Sequence, residues 1–100
     1  DYAPGLRVVL PSALTLRQPW GETLSSWYAY KDSVGNAIGD PVTLTATRER
    51  LTQLLRAEVE RLGSGGSVYL GGVSQGCTVA LDLYLREAPK LGLGGFVGSV

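Results

Sequence analysis

The stretch "VYLGGVSQGC", residues 68–77, constrains the fold of this chain more than any other. A short apolar run leads into Gly-x-Ser-x-Gly, and the segment after it, "QGCTVALDLYLREAP", is apolar on most sides. A strand ending at Gly72 and a helix starting near Gln75 leave Ser74 on a very sharp turn. Gly72 and Gly76 remove the side chains that would clash there. Such a turn lifts the serine Oγ above the carboxyl edge of a sheet and aims the first free helix NH groups, that of Gln75 above all, at the same point. Ser74 is therefore a candidate nucleophile and the Gln75 NH a candidate oxyanion donor, with Gly72 and Gly76 as the elbow glycines. The plain alternative is a Gly-rich turn whose serine caps the following helix.

The 20 residues from 62 to 81 carry no charge, but six glycines interrupt them, so they read as strand, turn and helix rather than a membrane span. Around this centre the pattern alternates. "LRVVLP" (6–11) predicts a strand closed by Pro11, which cannot donate to a ladder. Residues 12–44 predict a long loop rich in Pro, Gly, Ser and Thr with interspersed aromatics, a length expected where a loop lines a site. Residues 45–62 predict a helix, with Leu51, Leu54, Leu55, Val59 and Leu62 on one stripe and Arg48, Glu49, Arg56 and Glu60 facing away. "GSGG" (63–66) ends it. A strand over 67–72, a helix over 75–88 with Pro89 just past its end, and a strand over 93–100 complete the series. Strands alternating with helices imply an α/β fold with right-handed crossovers and a parallel sheet covered on both faces.

One hundred residues suit a single domain, which hides roughly 60 to 70% of its unfolded surface. Nine basic and nine acidic residues leave no net charge and no like-charge block, so a nucleic-acid partner or stable membrane insertion is not expected. The lone Cys77 and the absence of histidine leave no cluster for a metal, no cofactor is implied, and a cytoplasmic location fits. No methionine occurs, and "GLGGFVGSV" stops inside an expected strand. Both suggest a piece of a longer protein. Neither Gly-rich stretch carries the Lys-Ser/Thr ending of a P-loop or the opening of a dinucleotide helix.

"LGGVSQGCTVALDLYL" resembles the nucleophile segment of the acyl-protein thioesterases and their carboxylesterase/phospholipase relatives, which carry Gly-Gly-Phe-Ser-Gln-Gly followed by small and apolar residues. "LRVVLPSALT" is similar to their strand ending in Pro-x-Ala-Pro, "SSWYAY" to their Ser-Trp-Tyr/Phe-Asp segment, "RERLTQLLRAEVERLG" to the helix before the elbow, and "LGGFVGSV" to the strand after it. The order is the same along essentially the whole chain. Val73, Cys77, Leu14 and Ala29 depart from the pattern, where Phe, Gly or Ala, the second Pro, and Asp are usual. The loss at Ala29 bears on hydrogen bonding beside the pocket.

The resemblance implies the incomplete three-layer parallel-sheet core of an α/β-hydrolase, with about three strands and two main helices. It implies cleavage of a carboxylic ester or thioester through an acyl-enzyme on Ser74, the substrate being a lipidated protein, a lysophospholipid or a small ester. Trp27 would help wall the acyl pocket. The triad Asp and His and a His-Gly-x-Gly-Asp loop would lie outside residues 1–100, as would a strand between those matching 6–11 and 67–72.

Within the chain, a base for Ser74 is hard to find. Lys90 sits about 22 Å along the elbow helix at 1.5 Å per residue. Lys31 lies in the long loop, Asp82 is spaced to pair with Arg86, and Cys77 reads as a packed thiol at a helix start. A non-catalytic α/β segment, or an interaction domain without a triad, is the competing reading.

Overall fold

The computed structural model describes residues 5–32 and 39–100. A parallel strand pair carries the second of two long helices on one face, and the first long helix packs on the second. Strands β1 (Leu14–Arg17) and β2 (Thr23–Ser26) form an antiparallel hairpin. Helix α1 spans Pro41–Leu62 and a 3₁₀ turn Gly63–Gly65; β3 (Tyr69–Val73), α2 (Gln75–Leu91) and β4 (Gly95–Ser99) follow.

Helix α1 starts four residues before its expected position because Asp40 supplies a strong cap. Its carboxylate accepts from the Thr43 NH at 3.0 Å, and Pro41 occupies the first turn, where its missing NH costs nothing. Thr47, Leu51 and Leu55 form the buried face at four-residue spacing, and Val79, Leu83 and Glu87 do the same on α2. Tyr28 joins Leu51, Leu55, Val79 and Leu83 in the core, while Leu54 and Val59 pack at its margin and Leu62 is exposed. Helix α2 continues through Pro89 to Leu91. The proline removes one ladder bond close to the end, and Gly92, left-handed at φ 63°, closes the helix by donating to the Ala88 carbonyl at 3.0 Å.

Arg48 and Arg56 do not face away from the core side of α1. Arg48 reaches across to Asp82 at 2.9 Å, and Arg56 to the buried Glu87 at 2.9 Å. Asp82 also makes the expected pair with Arg86, at 2.9 Å. Burial alone would push the Asp82 carboxyl up, but the hydrogen bonds from the two arginines outweigh it and hold the group below the ordinary aspartate value. A depressed folded pKa contributes stability above the unfolded value, near 3.9, that is lost as pH falls through the folded one. Asp82→Asn should therefore flatten the acid limb of a stability–pH curve below about pH 4, by less than about 1 kcal/mol because the pair is partly exposed. Urea titrations from pH 2 to 7 would measure it.

The sheet differs from expectation. Residues 7–13 form no strand, and the expected loop over 12–44 contains the β1–β2 hairpin and the first turn of α1. Positions 33–38 of that loop lie outside the described residues. A β-branched run becomes a strand only when a neighbour completes its ladder. Among the described residues β3 pairs only with β4, in parallel from Tyr69↔Gly95 to Val73↔Ser99, and the 6–11 run has no place beside either. What the structure bears out is a mixed arrangement of helices and small sheets. No helix among the described residues is long and apolar enough to cross a membrane.

Candidate active site

Strand β3 ends at Val73 and α2 begins at Gln75, so Ser74 alone makes the turn. Its backbone sits at φ 56°, ψ −123°, the one positive φ among the described non-glycine residues. Conformations this sparsely populated cost about 1–3 kcal/mol and persist where neighbours over-determine them. Here the neighbours are backbone on both sides. The Ser74 NH donates to the Ser99 carbonyl at 2.8 Å, extending the β3–β4 ladder, and the Ser74 carbonyl accepts from the Cys77 and Thr78 NH groups at 3.0 and 3.3 Å.

Gly72 makes this turn possible. A Cβ at that position would lie 2.3 Å from the Gly76 carbonyl oxygen and 2.7 Å from the Cys77 nitrogen, all backbone that cannot rotate away. Gly76 serves a different neighbour: its Cβ would stand 3.2 Å from Trp27 Nε1. The two elbow glycines thus bring β3 onto the first turn of α2, and Trp27 against that turn.

The Ser74 side chain is exposed and makes no capping hydrogen bond to α2. A serine serving as a helix cap would bond the second or third NH of the helix. The hydroxyl is instead left beside the open end of α2, where the first NH groups lack intrahelical partners and the dipole favours negative charge. With the Cys77 and Thr78 NH groups turned back onto Ser74, those of Gln75 and Gly76 are the two that can face an oxyanion.

The sequence reading assigned Gln75 only a backbone NH and missed its side chain. Its Oε1 accepts from the NH groups of Trp27 (2.7 Å) and Tyr28 (3.4 Å), and its Nε2 donates to the Tyr28 carbonyl at 2.8 Å. The aromatic segment is gripped from other sides as well. The Thr47 hydroxyl donates to the Trp27 carbonyl, and the Ala29 NH donates to Thr43 Oγ1 at 2.9 Å. Buried Gln18 donates to Ser26 Oγ (3.0 Å) and the Tyr28 carbonyl (3.3 Å) and accepts from the Tyr30 NH (2.8 Å). Trp27 is half-buried, with the Arg50 guanidinium 5.7 Å from its ring centroid. A run of loop residues whose backbone is satisfied by glutamine and threonine side chains has no periodic signature in the sequence.

Among the described residues Ser74 has no ordinary base. The chain has no histidine. Lys90 pairs with Glu87 at 3.5 Å near the far end of α2, Asp82 is held by Arg48 and Arg86, and Lys31 is exposed. The Tyr28 phenol lies near Thr78, but burial raises its pKa, which keeps it protonated. Cys77 is half-buried with its sulfur packed at Gly98, where a Cβ would come within 2.6 Å, as expected of a packing thiol.

The strained turn also yields a stability prediction. Ser74→Gly should relieve the left-handed φ, and after the extra unfolded-state entropy of glycine is subtracted it should stabilise the chain by about 1 kcal/mol. Ser74→Ala should leave the strain in place. Urea midpoints of the two variants decide it, an unchanged or lowered Ser74→Gly midpoint being the failing result.

No family model matches the chain, and no curated protein or solved structure is detectably similar to it.

Proposed function

We propose that this chain carries the nucleophile segment of a serine hydrolase acting on carboxylic esters or thioesters, of the acyl-protein thioesterase or carboxylesterase/lysophospholipase type. The observation that supports the reading most is the backbone of Ser74. A non-glycine residue held at φ 56° between a parallel strand and a helix, with an uncapped, exposed hydroxyl, has a costly geometry with no structural use for its side chain. In the proposed reaction Ser74 Oγ attacks the acyl carbonyl, forming the C–O bond as its proton passes to a base. The Gln75 NH stabilises the oxyanion, and collapse expels the alcohol or thiol to leave an acyl-enzyme that water then cleaves. Trp27 walls the acyl group. Because no described residue beside Ser74 can take its proton and the chain has no histidine, the base comes from polypeptide beyond these 100 residues, within the three-layer core of an α/β-hydrolase. Cytoplasmic placement belongs to the same proposal.

The missing base also supports a second reading, a non-catalytic α/β segment that retains an elbow without a triad. Flanking reading frame separates the two: a His-Gly-x-Gly-Asp loop upstream and an Asp then a His downstream are expected, and an in-frame extension lacking the histidine sinks the enzyme reading. In the extended polypeptide a fluorophosphonate probe should label Ser74, with labelling lost in Ser74→Ala. The 100-residue chain should label no faster than its own Ser74→Ala control.

A further inference from the structure

Arg48, Arg56, Arg86 and Lys90 line one groove along the seam between α1 and α2, an open cavity of about 300 Å³. Two carboxylates bring them there, and each serves two cations. Asp82 accepts from Arg48 Nε and Arg86 Nε, both at 2.9 Å, while Glu87 holds Arg56 at 2.9 Å and Lys90 at 3.5 Å. Each cluster therefore sets two positive charges against one negative charge. Thr52 and Gln53 add neutral hydrogen-bonding groups to the same wall, and Glu49 is the one further charge among the lining residues.

The Glu87 side chain is only 4% exposed, so it forms a buried anchor, while Arg56 and Lys90 remain more than half exposed above it. One cation is enough to offset the charge of a buried carboxylate. Here a second is held beside it. Arg86 is surplus in the same sense, because Arg48 already pairs with Asp82. A guanidinium presents five donors in a fixed fork, and one carboxylate shared between two arginines leaves most of them open. Surplus charge and surplus donors on both sides of one groove are what an oxyanion requires. No apolar side chain lines the groove, and covering it with further polypeptide would strip water from four cations.

We propose that this groove binds a small organic anion carrying two phosphate groups, one held by Arg48 and Arg86 and the other by Arg56 and Lys90. At 1.5 Å per residue, Arg86 and Lys90 stand roughly 6 Å apart along α2 and Arg48 and Arg56 roughly 12 Å apart along α1. That span exceeds the reach of a diphosphate and suits a sugar phosphorylated at both ends. The arginine forks take phosphate oxygens in pairs, the Lys90 ammonium acts as a point charge, and Thr52 and Gln53 supply bonds for hydroxyl groups between the phosphates. The site is built from the body of the two helices, not from the turn at Ser74, and is independent of the hydrolase reading.

Equilibrium dialysis at low salt, with fructose 1,6-bisphosphate as the probe, tests it. The chain should bind one molecule, at least about tenfold more tightly than it binds fructose 6-phosphate or inorganic phosphate, because only the bisphosphate engages both clusters. Arg86→Gln and Lys90→Gln change exposed side chains at opposite ends of the site, and each should weaken binding by about fivefold without altering the circular dichroism spectrum. Glu49→Gln removes the opposing charge and should tighten binding by about twofold to threefold, a gain that a purely structural role for these side chains does not produce. Absence of binding at millimolar probe, a monophosphate held as tightly as the bisphosphate, or Arg86→Gln and Lys90→Gln variants that bind like the parent chain would each overturn the proposal.

Discussion

Replacing Gly72 by alanine should lower stability by about 3 kcal/mol or more, enough to leave much of a marginally stable chain unfolded. The added methyl would sit 2.3 Å from the Gly76 oxygen, 2.5 Å from the Gly76 carbonyl carbon and 2.7 Å from the Cys77 nitrogen. Side-chain rotation cannot relieve any of these contacts, so β3 must separate from the first turn of α2, breaking the Ser74–Ser99 ladder bond with it. Two neighbours calibrate the effect. Gly71→Ala meets a single carbonyl oxygen at 3.0 Å, and Gly76→Ala meets only the Trp27 indole at 3.2 Å, a side chain that can shift. At Gly76 the helix also gains about 1 kcal/mol of propensity, so the net change there should be small. Urea unfolding of the three variants gives the ranking; a Gly72→Ala loss no larger than that of Gly76→Ala contradicts the elbow geometry.

Gln75→Leu should cost about 2–4 kcal/mol. The leucine keeps much of the volume but leaves the Trp27 and Tyr28 NH groups without their acceptor, and each buried donor so orphaned costs about 1–3 kcal/mol. The Tyr28 carbonyl keeps its second donor, Gln18, which limits the loss there. Gln75→Glu is the informative companion. Its carboxylate still accepts from both NH groups but cannot donate to Tyr28, so it should lose less than the leucine variant. Hydrogen exchange at the Trp27 and Tyr28 amides should accelerate in Gln75→Leu before that of α1. Unchanged protection there would mean that the segment is held by Thr47, Thr43 and Gln18 alone.

The features legible in the sequence were those fixed by neighbours a few residues away. The leucine stripe of α1, the glycine-flanked serine between a strand and a helix, and the i, i+4 pairing of Asp82 with Arg86 all have local spacing rules. Pairing choices reach further. The run 6–11 has the composition of a strand, but no residue within it reveals whether a partner edge is present, and the weaker-looking segments at Leu14–Arg17 and Thr23–Ser26 pair instead because a short turn joins them. Helix–helix contacts were hidden for the same reason. Arg48 and Arg56 occupy positions that a helical wheel assigns to solvent, and only the approach of α2 brings them to Asp82 and Glu87. At the candidate site, the place of Gln75 at the start of α2 was legible from its position after the serine, while its side-chain bonds depend on a loop 47 residues away in sequence.

That last connection limits how the site can move. Gln75 is covalently joined to Ser74 and bonded through both ends of its amide to residues 27 and 28. The turn and the aromatic segment are consequently coupled through the Gln75 amide, beside the separate holds of Thr47, Thr43 and Gln18. A displacement of Trp27 would be passed through the Gln75 side chain, and through the indole contact at Gly76, to the first turn of α2 beside the serine hydroxyl.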